Sequence, residues 1–350
     1  MRGNRAMGDR TDVFLITGFL GSGKTTFLNR VIASFPKDRK LMILMNEFGE
    51  VGIDGTLIEG EDLDILEISK GSIFCVCVKT DFIKGLYEIA QGIQPDMLLI
   101  ESTGVANPTD LKRDLKLPLF KDRFHFTEQF CMVDAANFEA AYETFSSVEK
   151  QIASSTVFII NKTDLASPEQ VQKAKDLIAR HHPEPKFFET TYAQVPLQDF
   201  ALGSSKGPAT GQAIRHVPMP AASPEELESA IDELLADPHG EVTPPDRLLS
   251  AVYSWQEDDL ETFRTLASRL PKAVVRAKGF LAEDKDTYLF SLVMGQWGLE
   301  RYPLPPGRLH LLNRIVFIAP PEVMPQLEAL SSEFPAFRKE STWDPMQGHA

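Results

Sequence analysis

Cysteine is scarce in this chain. Cys75, Cys77 and Cys131 are the three in 350 residues, too few for a disulfide framework, so a reducing cytoplasm is the expected compartment. No apolar run approaches the roughly 18 residues that cross a bilayer, and no membrane partner is expected. The opening MRGNRAMGDRT carries positive charge with no apolar stretch behind it, which does not fit a secretory signal. Basic residues are in deficit, 36 Lys and Arg against 50 Asp and Glu, for a net charge of −14. That balance argues against non-specific binding to nucleic acid or to anionic lipid. There is no internal repeat and no low-complexity or His-rich tract. The His181-His182 pair precedes Pro183, and favourable interaction with a helix C-terminus is its ordinary explanation.

What the chain does have is the make-up of an ordinary globular protein, 43% hydrophobic and 25% charged. Its length suits two domains, or one large domain with an appendage. The most informative stretch is VFLITGFLGSGKTTFLNRVI, beginning at Val13. An apolar, β-branched strand runs into Gly18-Phe19-Leu20-Gly21-Ser22-Gly23-Lys24-Thr25, which fits the phosphate-loop pattern G-x-x-x-x-G-K-[ST], and Phe27, Leu28, Val31 and Ile32 follow at helical spacing. The pattern needs glycine so that backbone N–H groups can converge on a phosphate at a helix N-terminus. Lys24 is then expected to reach the β- and γ-phosphates and the Thr25 hydroxyl to ligate Mg²⁺. Gly18, Gly21, Ser22, Gly23 and Thr26 are expected to complete the nucleotide-binding set.

Further apolar strands are expected at 41–45, 97–100, 130–133 and 157–160, with a short one at 65–68 and a helix over 79–91. Strands that are apolar throughout and separated by helices imply an α/β fold, a P-loop NTPase with a mainly parallel sheet flanked by helices. Residues 11–200 form that expected domain. Residues 201–245 turn to Gly, Ser, Ala and Pro and read as a linker with a short helix at 225–236. Residues 246–335 read as a small C-terminal α+β domain: strands at 247–255, 273–281, 288–293 and 314–318, helices at 260–267 and 322–330. Residues 336–350 are expected to be a tail.

The distinctive polar clusters all follow strand ends, where an open α/β sheet places its ligand. Glu101-Ser102-Thr103-Gly104 follows the strand at 97–100. There Glu101 is placed to hold Mg²⁺ through water and the Gly104 backbone to sense a γ-phosphate. Asn161-Lys162-Thr163-Asp164 follows the fifth strand as a base reader. A buried Asp164 carboxylate would accept from guanine N1–H and the 2-amino group, while the Lys162 stem packs on the base face. Adenine lacks both donors, so the site would discriminate by roughly 10⁴-fold. NKTD therefore disfavours an ATP-dependent kinase. Asn161 belongs to the same set. No residue stands out as a general base; Glu47 fits either water orientation or sensing of a metal or γ-phosphate, and slow intrinsic turnover is expected.

GFLGSGKTT, NEFGEVGID, the G-x-I-x-C segment, ESTGVANP and NKTDL occur in the order and contexts of the CobW-like P-loop GTPases. VVRAKGFL, YLFSLVMGQWGLE and NRIVFIA resemble that family's C-terminal domain. The resemblance implies slow GTP hydrolysis to GDP, with Mg²⁺, coupled to handing a transition metal of the zinc or cobalt class to a client metalloprotein. Where such proteins carry G-C-x-C-C, this chain has Gly71-Ser72-Ile73-Phe74-Cys75-Val76-Cys77. Ser72 and Phe74 stand in for two cysteines, Cys75 matches the third and Cys77 lies beyond the pattern. Two thiolates at C-x-C spacing bind a soft or borderline ion, but a closed zinc site takes four ligands. Glu47 is the family-matched candidate for a third, and a partner protein or a second copy in a homodimer would supply more. The other reading of both cysteines is packing as small apolar residues. Packing is also the reading for Cys131, inside a core strand. The alternative function is a GTP-dependent protein-interaction switch that assists a metallocofactor enzyme, a corrinoid enzyme for example, without carrying metal.

Overall fold

The computed structural model describes residues 10–36, 39–46, 64–68, 76–102, 112–120, 123–200 and 246–344. Its first unit is a parallel sheet of seven strands: β1 (Thr11–Gly18), β2 (Leu41–Asn46), β3 (Asp64–Ile68), β4 (Met97–Glu101), β5 (Phe124–Asp134), β6 (Val157–Asn161) and β7 (Lys186–Glu189). Their order is β3-β2-β4-β1-β5-β6-β7. β1 lies at the centre, pairing Leu15 with Ile100 of β4 and Ile16 with Phe130 of β5.

Both faces are covered, and the strands alternate between them. Val13 and Leu15 join the core under helix α2 (Val76–Glu88), while Phe14 and Ile16 pack with Phe27, Leu28 and Val31 of α1 (Lys24–Ser34). On the other half, Cys131, Val133, Phe158 and Ile160 pack against α3 (Phe138–Thr144), α4 (Ser146–Ser154) and α5 (Pro168–Ala179). Two covered faces explain why these strands read as unbroken apolar runs. α2 begins three residues before the expected start, with Val76 and Val78 in the helix despite their weak helix preference. β7 and the first half of β5 escape the apolar-run criterion: exposed and half-buried residues alternate in β5, and all four residues of β7 are exposed or half-buried.

The second unit is an antiparallel sheet of six strands in the order β11-β10-β9-β12-β8-β13. These are β8 (Leu249–Trp255), β9 (Arg276–Glu283), β10 (Asp286–Val293), β11 (Gln296–Arg301), β12 (Arg314–Ala319) and β13 (Phe337–Trp343). Helices α6 (Leu260–Ser268) and α7 (Met324–Glu333) supply Phe263, Leu266 and Leu327 to its main core. Residues 337–343 are therefore not tail. Phe337 pairs with Trp255 and is fully buried, while Arg338, Lys339 and Glu340 give β13 the charged look of an edge strand. β11 was also hidden, since most of its residues are exposed. The stretch 201–245, expected to be a linker with a short helix, and the last residues, 345–350, lie outside the described residues. Among the described residues no helix is long and apolar enough to cross a membrane.

Candidate functional site

The phosphate loop leaves the C-terminal end of the central strand and turns into α1. Gly23 caps that helix at φ 104°, in the left-handed region, and a Cβ there would lie 2.3 Å from Asn161 Nδ2. Only glycine satisfies both constraints. No side chain caps α1 and no acid occupies its first turn, so the free N–H groups and the positive end of the dipole are left for an anion. The buried Ser22 hydroxyl has no partner among the described residues, which also suits a phosphate oxygen at the loop. Lys24 is 6% exposed, and its ammonium donates to the loop carbonyls of Gly18 (3.0 Å) and Phe19 (3.2 Å). Its charge is thus stored inside the loop.

Thr25 and Glu101 come from neighbouring elements and meet. The Thr25 hydroxyl donates to Glu101 Oε1 at 3.4 Å, and Glu101 is buried at the end of β4. A hydroxyl beside a carboxylate is a hard-oxygen pair that suits Mg²⁺. Ser102, the next residue, is anchored to β1 through its N–H on Ile16 O at 3.0 Å. Thr26 is exposed at the start of α1.

Asn161 joins the phosphate loop to the base-reading segment. Its Nδ2 donates to Ser22 O at 2.9 Å, and its Oδ1 accepts from Ala193 N–H, also at 2.9 Å. Lys162 has a left-handed backbone (φ 61°), and its ammonium donates to Asp134 Oδ2 at 2.7 Å. Asp134 is 7% exposed and also accepts from Ala136 N–H and Asn137 Nδ2, so its carboxylate is fixed and holds the lysine in place. The fourth-strand reading stopped one residue short of it. An acid at the end of a buried strand, register-paired with Asn161, was the signal available.

The turn after β7 is the second feature that sequence reasoning missed. Thr190 accepts from Thr163 N–H and hydroxyl, while Tyr192 and Ala193 both sit at positive φ, 49° and 55°. Left-handed non-glycine residues cost about 1 kcal/mol or more each, and here the bonds of Asn161 and of Arg30 Nε to Tyr192 O (2.5 Å) hold them. No Gly or Asn marks such a turn in TTYAQ.

Asp164 departs from the expected burial: it is exposed, in the short turn Thr163–Leu165 beside Leu165, which is 63% exposed. Glu47, Gly104 and Cys75 lie outside the described residues. Cys77 falls in the first turn of α2, and only its backbone is described. No cluster of three metal-ligating side chains occurs among the described residues. Cys131 is buried in the core, and burial pushes its thiol up to about 12, far from a reactive thiolate. The His181-His182 pair lies past the end of α5 rather than in its last turn. His181 bonds the Tyr142 hydroxyl at 2.9 Å, and His182 pairs with Ile152 O at 2.8 Å.

Residues 12–189 match the family described as CobW/HypB/UreG, nucleotide-binding domain. The chain is similar to the zinc chaperone YeiR of Escherichia coli, 35% identical over 162 residues, which span 45% of this chain and 48% of that protein. It is also similar to the zinc-regulated GTPase metalloprotein activator 1 of Dictyostelium discoideum, 27% identical over 229 residues, or 55% of this chain and 48% of the relative. The chain spans about half the length of these two curated relatives. Among solved structures, the Zn(II)-bound YjiA GTPase of E. coli aligns over 94% of this chain and 99% of its own, at 19% identity and a TM-score of 0.42. With the family match covering residues 12–189 and the phosphate loop at its start, the chain belongs to the CobW/HypB/UreG family and carries that family's nucleotide-binding domain.

Proposed function

We propose that the protein is a slow GTPase switch that carries a transition metal, zinc in the first instance, to a client metalloprotein. The observation that supports its nucleotide part is the pair of hydrogen bonds made by the Asn161 side chain, which ties the phosphate loop to the turn after β7. Loop, Mg²⁺ pair and base reader thereby act as one nucleotide site. Lys24 would release the loop carbonyls to meet the β- and γ-phosphate oxygens, while the N–H groups at the start of α1 orient the chain of phosphates. Thr25 and Glu101 would hold Mg²⁺, Glu101 through water, and the ion supplies charge neutralisation on the transferring phosphoryl group. Lys162, pinned by Asp134, would lie along the base, and Asp164 would select guanine. Burial of Glu101 and Lys24 favours tight charge-assisted contacts once phosphate and metal arrive.

Metal handling rests on the chain's relatives, whose names carry zinc, and on Cys75 and Cys77 with Glu47. A second copy of the chain or the client would complete the ligand set. GTP would order the segments 46–54 and 71–77, and hydrolysis would relax them and release the metal. Residues 11–200 form the switch domain in this reading, and the second sheet docks the client in the cytoplasm. The replacement of two cysteines by Ser72 and Phe74 favours a second reading, a GTP-driven interaction switch that carries no metal. Cobalt is a competitor for the same thiolates. The test is a nucleotide competition with hydrolysis measured on GTP and ATP: GTP is expected to bind and turn over slowly, with Lys24→Ala abolishing binding. Equal binding of ATP would overturn the guanine assignment.

A further inference from the structure

Phe19 and Leu20 are unusual passengers for a loop that handles phosphate, yet they are only 8% and 2% exposed. Residues of both units cover them. Phe19 stacks on Phe145 at 4.7 Å, and both loop residues share one core with Leu248, Val275 and Ile318, the last from β12. Above them lies the tip of the β10–β11 hairpin. Val293 pairs with Gln296, which leaves the two-residue turn Met294-Gly295 with both residues at positive φ, 49° and 81°. Such turns favour Asn or Gly at the first position, so the methionine is held there against its preference. The Met294 N–H is fastened to Val275 O at 3.0 Å, and its side chain packs on the shared core.

The contact reaches the loop backbone itself. Gly21 sits at φ 76°, and a Cβ there would lie 2.4 Å and 2.8 Å from the two methyl groups of Val293. Those methyls occupy the space where any other residue at position 21 would carry its side chain. Gly21 is three residues ahead of Lys24, within the turn that must present its N–H groups to phosphate.

We propose that Val293 and Met294 are positioning residues for the phosphate loop, so that the β10–β11 hairpin both stiffens the loop for nucleotide and senses its occupancy. The proposal rests on the nucleotide-binding reading above and extends it: nucleotide state passes directly to the second sheet, through apolar contact rather than through the metal segment. Removing the roof loosens the loop and speeds nucleotide loss; filling the loop shifts the hairpin.

The sequence supplies its own reporter, because all three tryptophans, Trp255, Trp297 and Trp343, lie in the second unit. Trp297 is in the hairpin itself, packed on Phe290. The experiment uses the full chain with Mg²⁺, GDP and its fluorescent N-methylanthraniloyl derivative, in wild type, Val293→Ala and Met294→Gly. The glycine variant keeps a favoured hairpin turn, so its fold is protected while its side-chain contact is lost. Dissociation of the labelled nucleotide is expected to be three- to tenfold faster in both variants. Unlabelled GDP is expected to change tryptophan emission, excited at 295 nm, in wild type and to leave it unchanged in Met294→Gly at saturating nucleotide. Wild-type binding with no change in emission, and dissociation unchanged in both variants, would overturn the proposal. No binding by wild type would instead overturn the nucleotide reading on which it stands.

Discussion

At the scale of single residues, the base reader gives the sharpest tests. An Asp164→Asn change exchanges the acceptor pattern facing guanine for one that suits xanthine. Hydrogen bonds to a charged group are worth roughly 1.5–3 kcal/mol, so GTP affinity should fall by about 10- to 100-fold and xanthosine triphosphate should gain. Unchanged GTP affinity by titration calorimetry would remove Asp164 from the site. Asp134 acts one step back: it holds the Lys162 ammonium at 2.7 Å. Asp134→Ala should therefore lower GTP and ATP affinity alike, because the lysine packs on any base and reads none. A loss confined to GTP would contradict that division of labour. Asp164 was legible from four letters, since NKTD follows a buried strand. Its exposure was not, because burial of that carboxylate depends on a ligand the sequence only implies. Asp134 was missed because the strand reading ended where the apolar run ended.

At the scale of elements, helix ends carry the testable energetics. The N-terminus of α4 has no side-chain cap of its own; Asp246, at the entry to the second unit, accepts from Ser146 N–H (2.9 Å) and Ser147 N–H (3.0 Å) instead. Asp246→Ala should cost about 1 kcal/mol, as loss of a cap does, seen as a lower thermal midpoint, with Asp246→Asn recovering most of it. A midpoint equal to wild type would show the contact to be idle. α6 is capped locally by Asp259. The Thr262 hydroxyl, then the N–H groups of Thr262 and Glu261, hold its carboxyl below the usual carboxylate range. A group whose value falls on folding stabilises the fold above its unfolded value and loses that contribution as pH falls through the folded one. Asp259→Asn should therefore flatten the acid side of the stability profile below about pH 4; an unaltered profile in urea titrations across that range would contradict the cap's role. Such elements read well from sequence where periodicity is strong, as in α1 and α6. β7, β11 and β13 were not legible, because edge and half-exposed strands carry charge and polar residues in place of apolar alternation.

For the molecule as a whole, the sheet order puts the described residues proposed to face nucleotide at the carboxyl ends of β1, β4, β5 and β6 or in the turns and helix that follow them. That much followed from where polar clusters interrupt apolar runs. The docking of the second sheet on the phosphate loop did not follow, since Phe19, Leu20 and Val293 are ordinary core letters until their contact is seen. The proposed function couples nucleotide to metal, and coupling between two such sites is commonly worth about 1–3 kcal/mol, or roughly 5- to 150-fold in affinity. The most direct measurement is zinc titration of the full chain loaded with a non-hydrolysable GTP analogue and, separately, with GDP, in wild type and in the Cys75→Ser, Cys77→Ser double variant. Zinc is expected to bind at least fivefold tighter in the triphosphate form of wild type, and the double variant to lose that difference. Equal zinc affinity in both nucleotide states, unaffected by loss of the two thiols, would contradict it.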